Sequence, residues 1–239
     1  MTAILVSFSY DNTLSSGKND LDLVSDYCST IGLQVFVMTD FEVTEKKRIF
    51  SIDNLKEDLE TTRVVLYYSG HAKENYLQFP CGDVCMKTFY MSVVSRFPKA
   101  QIVSIFDCCC SSSFSLAYTI QQESHVLSYN PLYSHNEIIH FSSSMREETA
   151  LSTEVSCFTK SLIRVLKTHE SRLHRLVEEL KTSVRSQRYD IDTLSQIPQI
   201  FTSFSSIVRM WPWFYGINID IIGDYFIVNE LRKVSRVGI

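Results

Sequence analysis

Two positions in this 239-residue chain carry side chains that can do covalent chemistry, and each follows an apolar run. His71 comes shortly after residues 64–68, and Cys109 comes shortly after residues 102–106. Both runs are rich in β-branched and aromatic residues and have the length of a buried β-strand. Because ligands bind at the carboxyl edge of open α/β sheets, we expect the thiol and the imidazole to meet at that edge. Together they can act as a nucleophile and its general base.

The elements that must position these two residues alternate between strands and helices. Hydrophobic periodicity predicts strands at residues 3–8, 33–38, 64–68, 102–106, 138–142 and 197–201, and helices at residues 18–30, 46–60, 84–97, 157–166 and 173–184. This alternation predicts a central, mostly parallel, six-stranded sheet with helices on both faces. No regular element is predicted between residues 111 and 136, a segment rich in Ser, Gln and Tyr.

Composition excludes several classes of partner. With 23 basic and 27 acidic residues, the formal net charge is −4, so the sequence has neither the basic surface of a nucleic-acid-binding protein nor a polybasic segment for a membrane surface. No apolar run reaches transmembrane length. The seven cysteines are an odd number, and three of them are adjacent. Together with the lack of a secretion signal, this pattern favours reduced thiols and a cytoplasmic location.

The two strand ends read Tyr68-Ser69-Gly70-His71 and Asp107-Cys108-Cys109. In this order, within alternating strands and helices, they resemble the motifs of caspase-like cysteine peptidases, specifically of the metacaspase and paracaspase branch. The resemblance covers residues 1–204. True caspases carry a Gln-Ala-Cys run at the second motif, which this sequence lacks. The resemblance implies a caspase-like α/β/α sandwich and an endopeptidase activity, for which we expect neither a cofactor nor a metal.

The same resemblance implies a role for each residue of the reactive pair. Cys109 would be the nucleophile, His71 would be the base, and the backbone N–H groups of Cys109 and Ala72 would bind the oxyanion. Ala72 replaces the usual Gly, which is harmless at negative φ and damaging if the position needs positive φ. We expect Cys108 to be a core residue and Cys110 to open a helix.

The resemblance also implies an acidic S1 pocket, because a buried carboxylate rejects acidic side chains and pairs with a guanidinium. Asp107 would form one wall, and Asp20, placed ahead of the first helix, would form another. The third carboxylate of relatives has no direct match, and Glu148 is among the nearest acids. The expected substrates are therefore proteins or peptides with Arg or Lys at P1. An Asp near a helix start can instead be a partner of the helix dipole, so Asp20 has a second interpretation.

The peptidase domain should span residues 1–209, and residues 210–239 should form an aromatic extension in which residues 218–229 make an edge strand that pairs two subunits. The short segment after His71, residues 73–77, lacks the run of aspartates that binds calcium in metacaspases, so we expect no calcium dependence by that route. A segment without Asp, Lys or Arg, residues 111–136, argues against self-cleavage there.

Three other interpretations of the function remain open. By the same resemblance, Cys110 replaces the His or Arg that commonly follows the nucleophile. The replacements at Ala72 and Cys110 would also suit a catalytically inactive scaffold or decoy that binds a protease or its adaptor. A zinc site would have to combine Cys81 and Cys85 with the three adjacent cysteines. A nucleotide-binding module would need a glycine-rich loop after the first strand, where residues 7–12 contain no glycine.

Overall fold

The computed structural model describes residues 2–7, 16–38, 61–79, 82–112, 115–121, 124–128, 134–144, 155–168, 173–186, 196–204 and 214. The predicted helix at residues 46–60 and the predicted strand at residues 218–229 lie outside this set. The boundary at residues 209 and 210 stays a prediction. No helix among the described residues has both the length and the apolar character that crossing a bilayer requires.

A large sheet forms the centre of the fold. Its strands are β1 (Thr2–Ser7), β2 (Gln34–Met38), β3 (Arg63–Ser69), β7 (Gln101–Asp107), β8 (Tyr118–Gln121), β9 (Ser124–Leu127), β10 (Ile138–Ser142) and β11 (Gln199–Thr202). Their order across the sheet is β2-β1-β3-β7-β10-β11-β8-β9. The first five pair in parallel, and β11, β8 and β9 are antiparallel. The mostly parallel α/β architecture predicted from the sequence is confirmed.

The predicted number of strands was wrong, because the described sheet has eight strands and not six. The additional pair is the hairpin β8–β9, which lies within the polar segment after the reactive cysteine. Each of its strands has only four residues, which is the shortest run over which alternation can be recognised in a sequence. A second, small sheet follows His71 and consists of β4 (Ala72–Lys73), β5 (Tyr76–Leu77) and β6 (Val84–Cys85).

The described helices cover both faces of the sheet, as predicted. They are α1 (Ser16–Thr30), α2 (Met86–Val94), α3 (Cys157–Thr168) and α4 (Leu173–Ser186). Apolar residues of α1, α3 and α4 pack on one face, and those of α2 pack on the other. Alternate residues of the central strands enter opposite cores: Tyr67 faces α1 and α3, and Tyr68 faces α2. The alternation fixes which core each residue at the end of β3 and β7 enters.

Candidate active site

The two reactive positions follow neighbouring strands. β3 and β7 pair in parallel, and Ser69 opposite Asp107 is their last register pair. The Gly70 N–H donates to the carbonyl oxygen of Asp107 at 3.3 Å, so the segment after β3 stays hydrogen-bonded to the end of β7 beyond the last register pair. His71 and Cys109 each lie two residues past that pair, and both are half-buried. Their backbones therefore leave the sheet at the same edge, on strands that are about 4.8 Å apart.

The Tyr68 side chain hydrogen-bonds to the backbone of His71. The Tyr68 hydroxyl lies 2.8 Å from the His71 carbonyl oxygen and 3.2 Å from that of Gln78. The Gln78 N–H also donates to the His71 carbonyl, at 3.0 Å. A Cβ atom on Gly70 would lie 2.8 Å from the Tyr68 hydroxyl oxygen, so this turn needs glycine. The absence of a side chain at position 70 thus permits the contact that fixes the backbone of His71.

Ala72 fits the position at which the resemblance led us to expect glycine. It begins β4, pairs with Leu77 and has no positive φ. Among the described residues other than glycine, only Glu74 and Cys110 have positive φ, at 53° and 54°. Since Ala tolerates ordinary β geometry, alanine at this position does not strain the backbone that carries the Ala72 N–H.

The three adjacent cysteines have different environments. Cys108 is 1% exposed and packs in the core on the α2 side. Burial raises the pKa of its thiol well above the ordinary value, and the nearby charge of Asp107 adds to this shift. Cys109 and Cys110 are half-buried. The expectation that Cys110 opens a helix was wrong, because its φ of 54° places it in a left-handed turn.

Two buried carboxylates lie on the other side of the sheet edge. Asp20 is 0% exposed and Asp107 is 4% exposed. Asp20 does not precede the first helix, as the sequence suggested, because α1 already begins at Ser16. It lies one turn inside α1, on the face that packs against the sheet. The two side chains interact, since the charge of Asp107 raises the pKa of Asp20.

Both carboxylates accept hydrogen bonds from the start of α3. The Thr159 hydroxyl donates to Asp107 Oδ2 at 2.6 Å, and the Thr159 N–H donates to the same oxygen at 3.3 Å. The Ser156 N–H donates to Asp20 Oδ1 at 2.8 Å, and the Ser69 hydroxyl donates to Asp20 Oδ2 at 3.1 Å. The N–H groups that begin a helix lack intrahelical partners. Asp20 and Asp107 therefore cap α3 from two other elements.

Burial makes this pair reluctant to ionise. It raises the pKa of Asp20 to about 7, with the charge of Asp107 as the second cause. It also raises the pKa of Asp107 above its ordinary value. Tyr67 contacts Thr159 through its hydroxyl at 2.9 Å, and burial followed by the two carboxylate charges raises its pKa well above normal. Near neutral pH the pair therefore holds a proton readily, and a cation placed beside it would displace that proton.

The sequence interpretation missed the residues that support the pair. Ser156 and Thr159 carry no motif, although a Ser-x-x-Thr start of a helix is a capping signal that could have pointed to them. Glu148, the suggested third carboxylate, lies outside the described residues. No three His, Cys, Asp or Glu side chains within the described part of the chain are grouped so that they could hold a metal ion.

Comparison with known proteins agrees with this geometry. The family model of the caspase domain matches residues 2–206. The chain belongs to the caspase domain family. The fold resembles the crystal structure of the protein GSU0716 from Geobacter sulfurreducens, with a TM-score of 0.64, 14% identity and coverage of 89% of this chain and 97% of that one. No curated protein matches the sequence.

The family assignment confirms the resemblance to caspase-like peptidases and the fold that it implied. At the family level this caspase domain is a cysteine peptidase-type enzyme, whose substrates are proteins. The likeness to the Geobacter protein, at 14% identity, concerns the fold alone.

Proposed function

We propose that this caspase domain is a cysteine endopeptidase of the metacaspase and paracaspase type that cleaves after Arg or Lys. The observation that carries the proposal is the register of β3 and β7, in which Ser69 pairs with Asp107 and both reactive residues follow at the same edge. The sequence motif Asp107-Cys108-Cys109 and the buried acidic pair beside it support the basic specificity.

In the proposed reaction His71 takes the proton of the Cys109 thiol, and the thiolate attacks the substrate carbonyl carbon. The N–H groups of Cys109 and Ala72 stabilise the oxyanion that forms. His71 then gives its proton to the leaving amine, so that the C–N bond breaks and a thioester remains on Cys109. Water, deprotonated by His71, attacks the thioester and releases the acid and the free thiol.

Asp20 and Asp107 would recognise the basic side chain. Two carboxylates that hold a proton between them lose it when a guanidinium supplies positive charge, and the ionised pair then accepts charge-assisted hydrogen bonds. Both carboxylates are buried and cap α3. A substrate side chain would therefore reach them only if the residues that cover them moved aside. The structural role as a cap and the role as a pocket wall are compatible, and they are separable by experiment.

The test is cleavage of a peptide library in which every amino acid is presented at P1. We expect cleavage after Arg and Lys only, loss of at least a hundredfold in Cys109→Ala and His71→Ala, and parent activity in the control Cys85→Ala, which removes a thiol from β6. Cleavage by Cys109→Ala at the parent rate would reject the assignment of the nucleophile. Efficient cleavage after Asp or after apolar residues would reject the acidic pocket.

The scaffold or decoy alternative drew on the replacements at Ala72 and Cys110. Ala72 adopts an unstrained backbone, which removes one of the two reasons for it. Complete inactivity of the parent chain on the library, combined with capture of an active protease, would favour the scaffold. The predicted pairing of subunits through residues 218–229 is checked by sedimentation over a range of protein concentrations.

A further inference from the structure

A network of serine hydroxyls lies behind the Cys109 turn, and the reaction described above does not use it. Its members are Ser111, in the turn, and Ser142, Ser143 and Ser144, at the end of β10. All four are fully buried. β10 is the neighbour of β7 in the sheet, so its end lies directly beside the turn that carries the thiol.

Two of these hydroxyls converge on one carbonyl group. The Ser143 hydroxyl and the Ser144 hydroxyl each donate to the Cys108 carbonyl oxygen, both at 3.1 Å. The Cys108 N–H donates back to Ser143 Oγ at 3.2 Å, and the Ser143 N–H donates to the carbonyl of Phe106 at 3.1 Å. Both lone pairs of the Cys108 carbonyl are therefore engaged.

The other two serines orient this arrangement. The Ser142 hydroxyl donates to the Ser144 carbonyl at 2.8 Å, and the hydroxyl oxygens of Ser111 and Ser142 lie 2.9 Å apart. The Ser144 N–H donates to Ser111 Oγ at 3.0 Å. The left-handed turn at Cys110 returns the chain so that Ser111 reaches this position. The Ser111 hydroxyl oxygen also lies 3.3 Å from the hydroxyl oxygens of Ser143 and Ser144 and from the Ser144 carbonyl oxygen, so the four serines form one connected, buried network.

The geometry of the peptide bond transmits this restraint to the reactive centre. The Cys108 carbonyl and the Cys109 N–H belong to one planar peptide unit, and no described peptide bond is cis. The two groups therefore point in opposite directions, and fixing the carbonyl fixes the direction of the N–H. Donors on a carbonyl oxygen also polarise the amide, which makes its N–H a stronger donor.

We propose that Ser143 and Ser144 are positioning residues for the oxyanion site: their hydroxyls hold the Cys108–Cys109 peptide plane so that the Cys109 N–H points at the developing oxyanion. This inference rests on the proposed function, since it assigns a purpose to the backbone of the nucleophile. In this proposal the two serines act on the reaction through the peptide unit, by way of their hydrogen bonds to the Cys108 carbonyl.

The test separates oxyanion binding from reactivity of the thiol. A peptidyl-arginine aldehyde forms a hemithioacetal whose oxygen occupies the oxyanion site, whereas iodoacetamide alkylates the thiolate without forming an oxyanion. For Ser143→Ala and Ser144→Ala we expect about a tenfold rise in the aldehyde inhibition constant and about a tenfold fall in kcat, with KM and the rate of Cys109 alkylation within twofold of the parent. Ser143→Thr, which keeps the hydroxyl, should restore the parent values.

A matched control is Ser128→Ala, which removes a hydroxyl that contacts Thr119 Oγ1 at 2.8 Å at the β8–β9 hairpin, where β8 lies three positions away from β7 in the sheet. It should change none of the four measurements. Equal losses in aldehyde binding and in alkylation would overturn the inference, because they would show a general disturbance of the turn. If Ser143→Ala does not fold, Ser143→Cys, a weak donor, should give an intermediate aldehyde constant, and a parent-like constant would overturn the inference. A parent chain that forms no hemithioacetal would overturn the proposed function itself, and the inference with it.

Discussion

Replacement of Asp20 by Asn should make the protein more stable at alkaline pH while it removes activity on basic substrates. In the folded chain the pKa of Asp20 is about 7, against 3.8 for a solvated Asp, chiefly because of burial. A rise of about three units corresponds to about 4 kcal/mol at about 1.4 kcal/mol per unit, and this is the free-energy cost of keeping the carboxylate ionised in the fold. Asn has a similar shape and no charge.

The sign of the pH dependence follows from the raised pKa. Below pH 4 Asp20 is protonated in the folded chain and largely so in the unfolded chain, and the cost is absent. As pH rises from 4 to 7 the unfolded chain ionises first, so the cost grows, and above pH 7 it is complete. Asn forfeits part of the hydrogen bonds from the Ser156 N–H and the Ser69 hydroxyl, at about 1 kcal/mol each. We therefore expect a net gain of about 2 kcal/mol at pH 8 and a net loss of about 2 kcal/mol at pH 4, where the weakened hydrogen bonds are not offset.

Urea denaturation followed by circular dichroism at pH 4, 6 and 8 measures this difference directly. The control is Asp22→Asn, because Asp22 is exposed on the same helix and should give less than about 0.5 kcal/mol at every pH. In the cleavage assay Asp20→Asn should raise KM for an Arg peptide at least tenfold. A loss of stability at pH 8, or an equal gain at pH 4 and pH 8, would refute the claim that the buried charge is costly.

Other predictions concern the same edge of the sheet. KM for an Arg peptide should rise by about tenfold per pH unit below 7, because Asp20 must be ionised to bind the guanidinium and its raised pKa makes protonation compete; a KM that stays constant between pH 5 and pH 8 would contradict this. Gly70→Ala should cost about 1–3 kcal/mol of stability, since its Cβ would lie 2.8 Å from the Tyr68 hydroxyl oxygen. Chemical denaturation of the double variant with Tyr68→Phe should show a smaller loss than the sum of the single changes, and strict additivity would argue against the contact. Cys110→Val should cost about 1–2 kcal/mol because a β-branched residue is strained at a φ of 54°, whereas Cys110→Asn should be tolerated within about 0.5 kcal/mol; equal thermal stabilities of the two variants would show that the turn has another geometry.

The sequence predicted the central strands and their reactive ends because these depend on local patterns. β3 and β7 are continuous apolar runs, so their positions and the edge at which His71 and Cys109 follow could be inferred from period and composition. The hairpin β8–β9 was missed, since its pairing with β11 is a long-range contact without a strong local signal. The place of Asp20 was also missed, because the start of α1 depends on how its buried face docks on the sheet.

The residues that hydrogen-bond to the candidate site were the least predictable from the sequence. Thr159 and Ser156 reach the carboxylates only because α3 begins beside α1 and β7, which no local pattern in the sequence specifies. The same is true of Ser143 and Ser144, which meet the Cys108 carbonyl across two neighbouring strands. A run of three serines after a strand is an ordinary loop in sequence and becomes a hydrogen-bond network only in the fold.

The most direct test of the account is the site of labelling by a peptidyl-arginine acyloxymethyl ketone, read by mass spectrometry of the intact chain and its peptides. We predict one adduct per chain, located on Cys109, with labelling slowed at least a hundredfold in His71→Ala. Labelling that falls on Cys110 or Cys85, or that proceeds equally fast without the imidazole, would contradict the assignment of Cys109 and His71 as the reactive pair.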